Sequence, residues 1–235
     1  VLVRYRLAVC LLALGAQGVG AQGPDILVFG STHEPTSFAY RYASDYLQRL
    51  CADIRQRCQL QSLPGRRGAA MLAAGSIAGE VGRVREYNRQ HPEYRRIEEP
   101  FLIIRTYVFT RTDGPEIDSW DALARKAGSV SYKRGVYTYQ TRLEAMKPRT
   151  RPHDVQNVAA CLRMVLAGRD DACVFDDGNL DAEAEALLPR GRLSKALEDL
   201  PLYIYLGKDH AVLAPAMNDA AKRLNAHGIK HFTLL

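Results

Sequence analysis

Residues 162–176 read LRMVLAGRDDACVFD, and this stretch constrains the fold more than any other in the chain. A helical apolar run (Leu162, Val165, Leu166) stops at Gly168. A short strand, Ala172 to Phe175, follows three charged residues later and ends on Asp176. A helix, a tight charged turn and a buried strand ending in a carboxylate make an α/β unit. In open α/β sheets, ligands collect beyond the carboxyl ends of the strands. Asp176 therefore stands where a ligand would be met.

The same alternation runs along the chain. Residues 25–29 (DILVF) read as a buried strand and lead into the polar turn Gly30-Ser31-Thr32-His33-Glu34-Pro35. Phe38, Tyr42, Tyr46, Leu47, Leu50 and Ile54 then recur at helical spacing. Further strands are expected at 59–63, 129–132 and 153–155, strands or turns at 80–84 and 95–98, and helices at 67–74, 120–126, 137–146 and 180–188. A last helix, through Val212, Leu213, Met217, Ala220 and Leu224, is expected to close on Gly228 at its C-cap. Strands alternating with helices predict a mostly parallel sheet with helices on both faces. Two long apolar strands, 101–110 and 202–206, stand apart, with a separate α/β pattern between them. That arrangement predicts one lobe inserted into another and joined by two crossing strands.

The first 21 residues read as a leader. Arg4 and Arg6 precede an apolar core, LAVCLLAL, that is too short to span a bilayer, and Val19-Gly20-Ala21 is a small-residue cleavage site. The lipobox-like Leu7-Ala8-Val9-Cys10 fits poorly, because Val9 is bulky and much of the apolar core lies after Cys10. The expectation is a free exported chain starting near Gln22, with no later transmembrane run. The formal charge is +6 for the whole sequence. The basic pairs Arg66-Arg67 and Arg95-Arg96 and the stretch 147–151 are scattered and lack interleaved aromatic residues, so a nucleic-acid partner is not expected. Beyond the leader lie Cys51, Cys58, Cys161 and Cys173. An even number in an exported chain, at local spacing, points to Cys51–Cys58 and Cys161–Cys173 bridges, with four buried thiols as the alternative. There is no C-x-x-C. His227 and His231 straddle Gly228 and do not share one helical face, so neither metal nor other cofactor is expected.

Over residues 25–232 the chain resembles bacterial extracellular solute-binding proteins of family 3, the type II periplasmic receptors typified by polar amino-acid binders. Pro64-Gly65-Arg66-Arg67-Gly68-Ala69 is similar to the family's P-x-x-R-a. Gly75-Ser76-Ile77-Ala78-Gly79-Glu80 is similar to its G-x-i-D-G-e, with Ala78 where Asp is usual. Glu98-Glu99-Pro100-Phe101 resembles the lead into the first hinge strand, Ile117 to Leu123 with Gly128 and Gly135 resembles the second-lobe opening, and Gly168-Arg169-Asp170-Asp171-Ala172 resembles G-R-x-D-a. Asp209-His210 and Gly228-Ile229 resemble the closing segment. The resemblance implies a two-lobed Venus-flytrap α/β fold. Lobe 1 would be residues 22–106 plus 205–235, and lobe 2 residues 107–204. It also implies hinge closure over a ligand and delivery by a monomeric periplasmic receptor to an inner-membrane transporter or a sensor.

The resemblance also nominates ligand contacts. Asp176 matches the family carboxylate that meets a ligand ammonium, although Asp176 could equally cap the helix that follows it. Gly135, Tyr137 and Thr138 lie in a strand-to-helix turn whose amide groups suit an anion. Arg83 stands near the family arginine that forks onto a ligand carboxylate, but the T-x-x-R that usually supplies it is absent. Glu34 lies in the first strand–helix loop, and Arg67 could reach the cleft or cap its own helix. Together these charges suit a small zwitterion or polar metabolite. An enzyme on the same fold, dehydratase-like and using His33, Glu34 and Asp176 for acid–base work, is the alternative. A ligand-sensing module for a partner protein is another. No nucleophile elbow, phosphate loop or metal cluster favours catalysis.

Overall fold

The structure, a computed structural model, describes residues 26–231. The expected leader and its cleavage site lie outside them. The elements are β1 (Ile26–Ser31), α1 (Phe38–Asp53), β2 (Arg57–Ser62), α2 (Gly65–Ala73), β3 (Gly79–Arg83), α3 (Tyr87–Gln90), β4 (Arg95–Arg96) and β5 (Leu102–Thr110). They continue as α4 (Trp120–Lys126), β6 (Ser129–Lys133), α5 (Tyr137–Glu144), β7 (Arg151–Val155), α6 (Val158–Leu166), β8 (Ala172–Asp176) and α7 (Ala182–Leu187). The chain closes with β9 (Arg192–Leu193), β10 (Glu198–Leu206), α8 (Ala214–Leu224) and β11 (Lys230–His231).

Strand order is β2-β1-β3-β10-β5-β8-β6-β7. It contains the same motif twice. In one half, β1 lies between parallel β2 and β3; in the other, β6 lies between parallel β7 and β8. Each triplet is bordered by a long antiparallel strand, β10 beside β3 and β5 beside β8. The sheet is therefore mixed, and the mostly parallel sheet expected from the alternation is corrected. The two long strands reverse direction and pair with each other, from Leu102 opposite Leu202 to Thr106 opposite Glu198.

The apolar core divides at these strands. Leu102 and Ile104 of β5, with Leu202 and Ile204 of β10, pack with Phe29, Leu47, Leu50, Phe101 and Met217. Three residues further along β5, Tyr107 and Phe109 pack with Leu162, Val165 and Phe175. Val108, on the other face, meets Leu123, Val130 and Leu143. Side chains alternate across a strand, so one strand can feed two faces, and here it also passes from one core to the next.

Local chemistry sets the element ends. Ser37 caps α1 by accepting from the Tyr40 N–H, and Asn157 caps α6 by accepting from the Ala160 N–H. Gly168 follows α6 with φ +67°, the left-handed conformation that ends a helix. The expected closure of α8 on Gly228 is corrected, because the helix ends at Leu224 and Asn225 is its cap. The expected helix over 180–188 is shorter, since Asp181 caps α7 at its start and Leu188 opens a 3₁₀ turn (Leu188–Arg190) at its end. Both expected cysteine pairs are bonded: Cys51–Cys58 ties α1 to β2 with Cα atoms 6.0 Å apart, and Cys161–Cys173 ties α6 to β8 at 5.6 Å. No helix among the described residues is long and apolar enough to cross a membrane.

Candidate functional site

Each triplet has its first strand in the middle, so chain connections leave that strand toward opposite sides and a crevice opens at its carboxyl end. The two crevices face one another. Thr32 and His33 follow β1, and Gly82 and Arg83 end β3. Gly135, Val136, Tyr137 and Thr138 follow β6, and Asp176 and Asn179 lie at the end of β8. Ile104, Leu200 and Leu202 of the two long strands form the floor. The cavity so enclosed has a volume of about 70 Å³. A wider chamber of about 610 Å³ adjoins it, sharing Val84, Tyr137, Thr138 and Leu200, with Arg85, Arg89, Arg142 and Glu198 in its walls.

Of the residues nominated from sequence, Arg83, Gly135, Tyr137, Thr138 and Asp176 come together around the inner cavity. Glu34 and Arg67 do not line it; both side chains are exposed to solvent. Gly135 has φ +87° and open space where a Cβ would be. Its backbone angle, and not crowding, is what calls for glycine there.

The two charged anchors are already engaged. Arg83 forks onto Glu80, Nε to Oε2 at 3.0 Å and Nη2 to Oε1 at 2.7 Å. Tyr87 donates its hydroxyl to the same carboxylate at 2.6 Å, and its ring lies under the guanidinium at 4.9 Å. Burial works against the Arg83 charge, but Glu80 outweighs it and holds the pKa above the ordinary arginine value. Asp176 caps the 3₁₀ turn: Oδ1 accepts from the Asn179 N–H at 3.0 Å and from its side-chain amide at 2.9 Å. Oδ2 accepts from the same amide at 2.8 Å and from the Tyr139 hydroxyl at 3.3 Å. Burial pushes the Asp176 carboxyl up, against those hydrogen bonds and the nearby Lys133 charge.

Lys133 carries a third buried charge. Its ammonium donates to Asn179 Oδ1 at 2.6 Å and, across to the other half, to the Thr32 carbonyl at 3.3 Å. Burial pulls its pKa below the lysine norm, opposed by Asp176, Glu34 and Asp181. A second bond between the halves joins the Gln90 side chain to the Tyr137 hydroxyl. His33 is buried, and burial together with the Lys133 and Arg83 charges lowers its pKa to about 3, so it is neutral at physiological pH. Sequence reasoning did not single out Lys133, Asn179, Tyr139 or Tyr87. The available signals were an i, i+3 Asp176–Asn179 pair, which reads as a cap, and Lys133 as the polar end of the apolar strand SVSYK before the Gly135 turn. Among the described residues, no cluster of His, Cys, Asp and Glu could hold a metal ion.

No family model matches the sequence. An uncharacterized protein of Shewanella oneidensis is 26% identical over 198 residues, 82% of this chain and 74% of that one. Solved structures match closely in shape at low identity. An ancestral amino acid-binding protein that is a precursor of cyclohexadienyl dehydratase superposes with a TM-score of 0.65 at 16% identity, covering 86% of this chain and 89% of its own. An ancestral arginine-binding protein bound to arginine gives 0.66 at 16%, covering 86% and 92%. A histidine kinase sensor domain with similarity to periplasmic binding proteins gives 0.64 at 14%, covering 87% and 92%. The fold is thus the two-lobed one of periplasmic binding proteins, as the resemblance implied.

Proposed function

We propose that this chain is a solute-binding protein that closes on a small ligand between its lobes, and that it is not an enzyme. One observation carries the reading: the carboxyl ends of β1, β3, β6 and β8, two strands from each half, converge on one cavity floored by the two crossing strands. A ligand there touches both lobes and is released only when they part. The hinge lies in β5 and β10, with residues 22–106 and 205–235 on one side and 107–204 on the other. Neutral buried His33 and fully bonded Asp176 make a poor acid–base pair, which weighs against the dehydratase-like alternative. The two disulfides fit an oxidising compartment, and we place the mature chain in the periplasm as a monomer. The matched structures include a substrate-binding protein of an amino acid ABC transporter and a kinase sensor domain, so delivery to a transporter or a sensor is the proposed role.

Thermal-shift screening against small polar metabolites tests this. A ligand at 100 times its Kd stabilises the folded state by about 2.7 kcal/mol, which raises Tm by roughly 5–11 °C for a chain of this length. A panel of amino acids, organic acids, sugars and amines that gives no saturable shift overturns the reading.

A further inference from the structure

The cavity has filled the ammonium place that an α-amino acid would need, and one edge of the arginine that would meet its carboxylate, using its own side chains. The ligand carboxylate would seek Arg83, but its Nε and Nη2 already hold Glu80, which is 2% exposed, and only the Nη1 side of the guanidinium has no partner among the described residues. The ligand ammonium would seek Asp176, but Asn179 and Tyr139 already occupy its acceptor positions. The ammonium of Lys133 lies beside it, bonded to Asn179 and to the Thr32 carbonyl. A second ammonium brought here would be repelled by Lys133 and would find no free acceptor on Asp176.

Beside the outer side of Arg83, what remains open is a set of neutral donors. The backbone N–H groups of Tyr137 and Thr138, in the first turn of the eight-residue helix α5, have no acceptor among the described residues, and the residue before the helix offers no side-chain cap. These N–H groups and the helix dipole favour an anion. An independent donor lies opposite. His33 is only 5% exposed and lines the cavity, and its Nε2 has no partner among the described residues. The Ser31 hydroxyl accepts from the His33 N–H at 3.3 Å and meets Nδ1 at 3.2 Å. With no other acceptor for the Ser31 proton, satisfying both groups places that proton on the bond to Nδ1. Nε2 then carries the ring hydrogen and is a donor without an acceptor. Val84, Ile104, Val136, Leu200 and Leu202 add aliphatic wall beside Thr32, Tyr87 and the engaged Arg83, Asp176 and Asn179. The volume of about 70 Å³ is on the order of five water-sized spheres.

We propose that the cleft selects a short monocarboxylate without an α-ammonium group, its carboxylate held by the α5 amides and His33 and its chain against the aliphatic floor. The inference rests on the cleft being the solute site. Calorimetric titration of the purified protein with matched pairs tests it: propanoate against alanine, and butanoate against 2-aminobutanoate, with 1-butanol as the uncharged control. The carboxylates should bind at least tenfold tighter than their amino partners, and the alcohol should not bind. Lys133→Met, which removes the internal ammonium, should raise alanine affinity at least tenfold relative to propanoate. If that variant does not fold, the wild-type ratios decide alone. An amino acid that binds as tightly as its carboxylate partner overturns the inference and leaves the solute-binding reading standing. The inference also falls, with that reading intact, if some other metabolite of the thermal-shift panel binds and neither carboxylate does. No saturable binding by any compound overturns both.

Discussion

Two buried groups next to the cleft titrate in opposite directions, and separating them tests how the site is built. His33 has its pKa lowered from 6.5 to about 3, by burial first and then by the Lys133 and Arg83 charges. Between those values the unfolded chain takes up a proton that the native state refuses, so stability rises with pH across that window. Asp177 behaves in the reverse sense. It is fully buried, Oδ1 accepts the Arg105 N–H at 2.9 Å, and Oδ2 has no partner. Burial, less the effect of that hydrogen bond and with the Asp176 charge added, raises its pKa from 3.8 to about 7. Between those values the unfolded chain has released a proton that the native state keeps, so stability falls as pH rises. At about 1.4 kcal/mol for each tenfold change in proton affinity, His33 contributes about 5 kcal/mol over its whole window and Asp177 about 4 kcal/mol over its own. The wild type should therefore show a shallow profile between pH 4 and 6.5, where the two oppose each other. The perturbations are Asp177→Asn and His33→Gln, and the assay is urea unfolding without ligand at intervals from pH 4 to 8. Subtracting each variant's curve from that of the wild type cancels the other groups. The difference for Asp177 should fall by about 3 kcal/mol between pH 4 and 7 and level only above pH 7, as the native carboxyl ionises. The difference for His33 should rise by about 3 kcal/mol between pH 4 and 6.5. Flat difference curves would refute the argument that burial decides the ionisation of these groups.

Two more consequences concern stability. Asp176→Ala removes the acceptor for Asn179 and Tyr139 and takes from the buried Lys133 the carboxylate that supports its charge most; breaking a buried set of this kind costs about 3 kcal/mol, and thermal melts should fall by roughly 6–12 °C. A binding defect with an unchanged melt would instead make Asp176 a ligand contact and not a structural cap. Replacing both Cys161 and Cys173 by Ser opens a loop of sequence separation 12, which by chain entropy costs about 2.8 kcal/mol. The same change at Cys51 and Cys58, separation 7, should cost about 2.4 kcal/mol, and the order of the two denaturation midpoints checks the argument.

The features legible in the residues alone are local. Apolar spacing from Phe38 to Ile54 required an amphipathic helix, and α1 runs Phe38–Asp53. Gly168 marked the end of α6, and Cys161 and Cys173 on either side of it came within bonding distance because a tight turn folds one element back on the other. The strand ends that meet a ligand were legible for the same reason: Gly135 and Asp176 stand where short apolar runs stop, and both line the cavity. These features depend on residues a few positions apart, whose periodicity and turn chemistry act whatever the rest of the chain does.

The tertiary structure alone decided the direction of the long strands and the partners of the charges. β5 and β10 read as strands, but nothing local says that they run against the parallel triplets, because direction is set by which distant strand each one pairs with. In the sequence Arg83 reads as a ligand contact, Asp176 as a ligand contact or a cap, and Lys133 is not singled out. In the fold Arg83 turns back to Glu80, Asp176 to Asn179 and Tyr139, and Lys133 across the cleft to Thr32. A buried charge must be compensated within a few ångströms. Which group stands that close depends on the register of strands and loops that are far apart in the chain, such as Lys133 and Thr32. Composition shows that the charges are present; only the packed molecule shows which of them are left for a ligand.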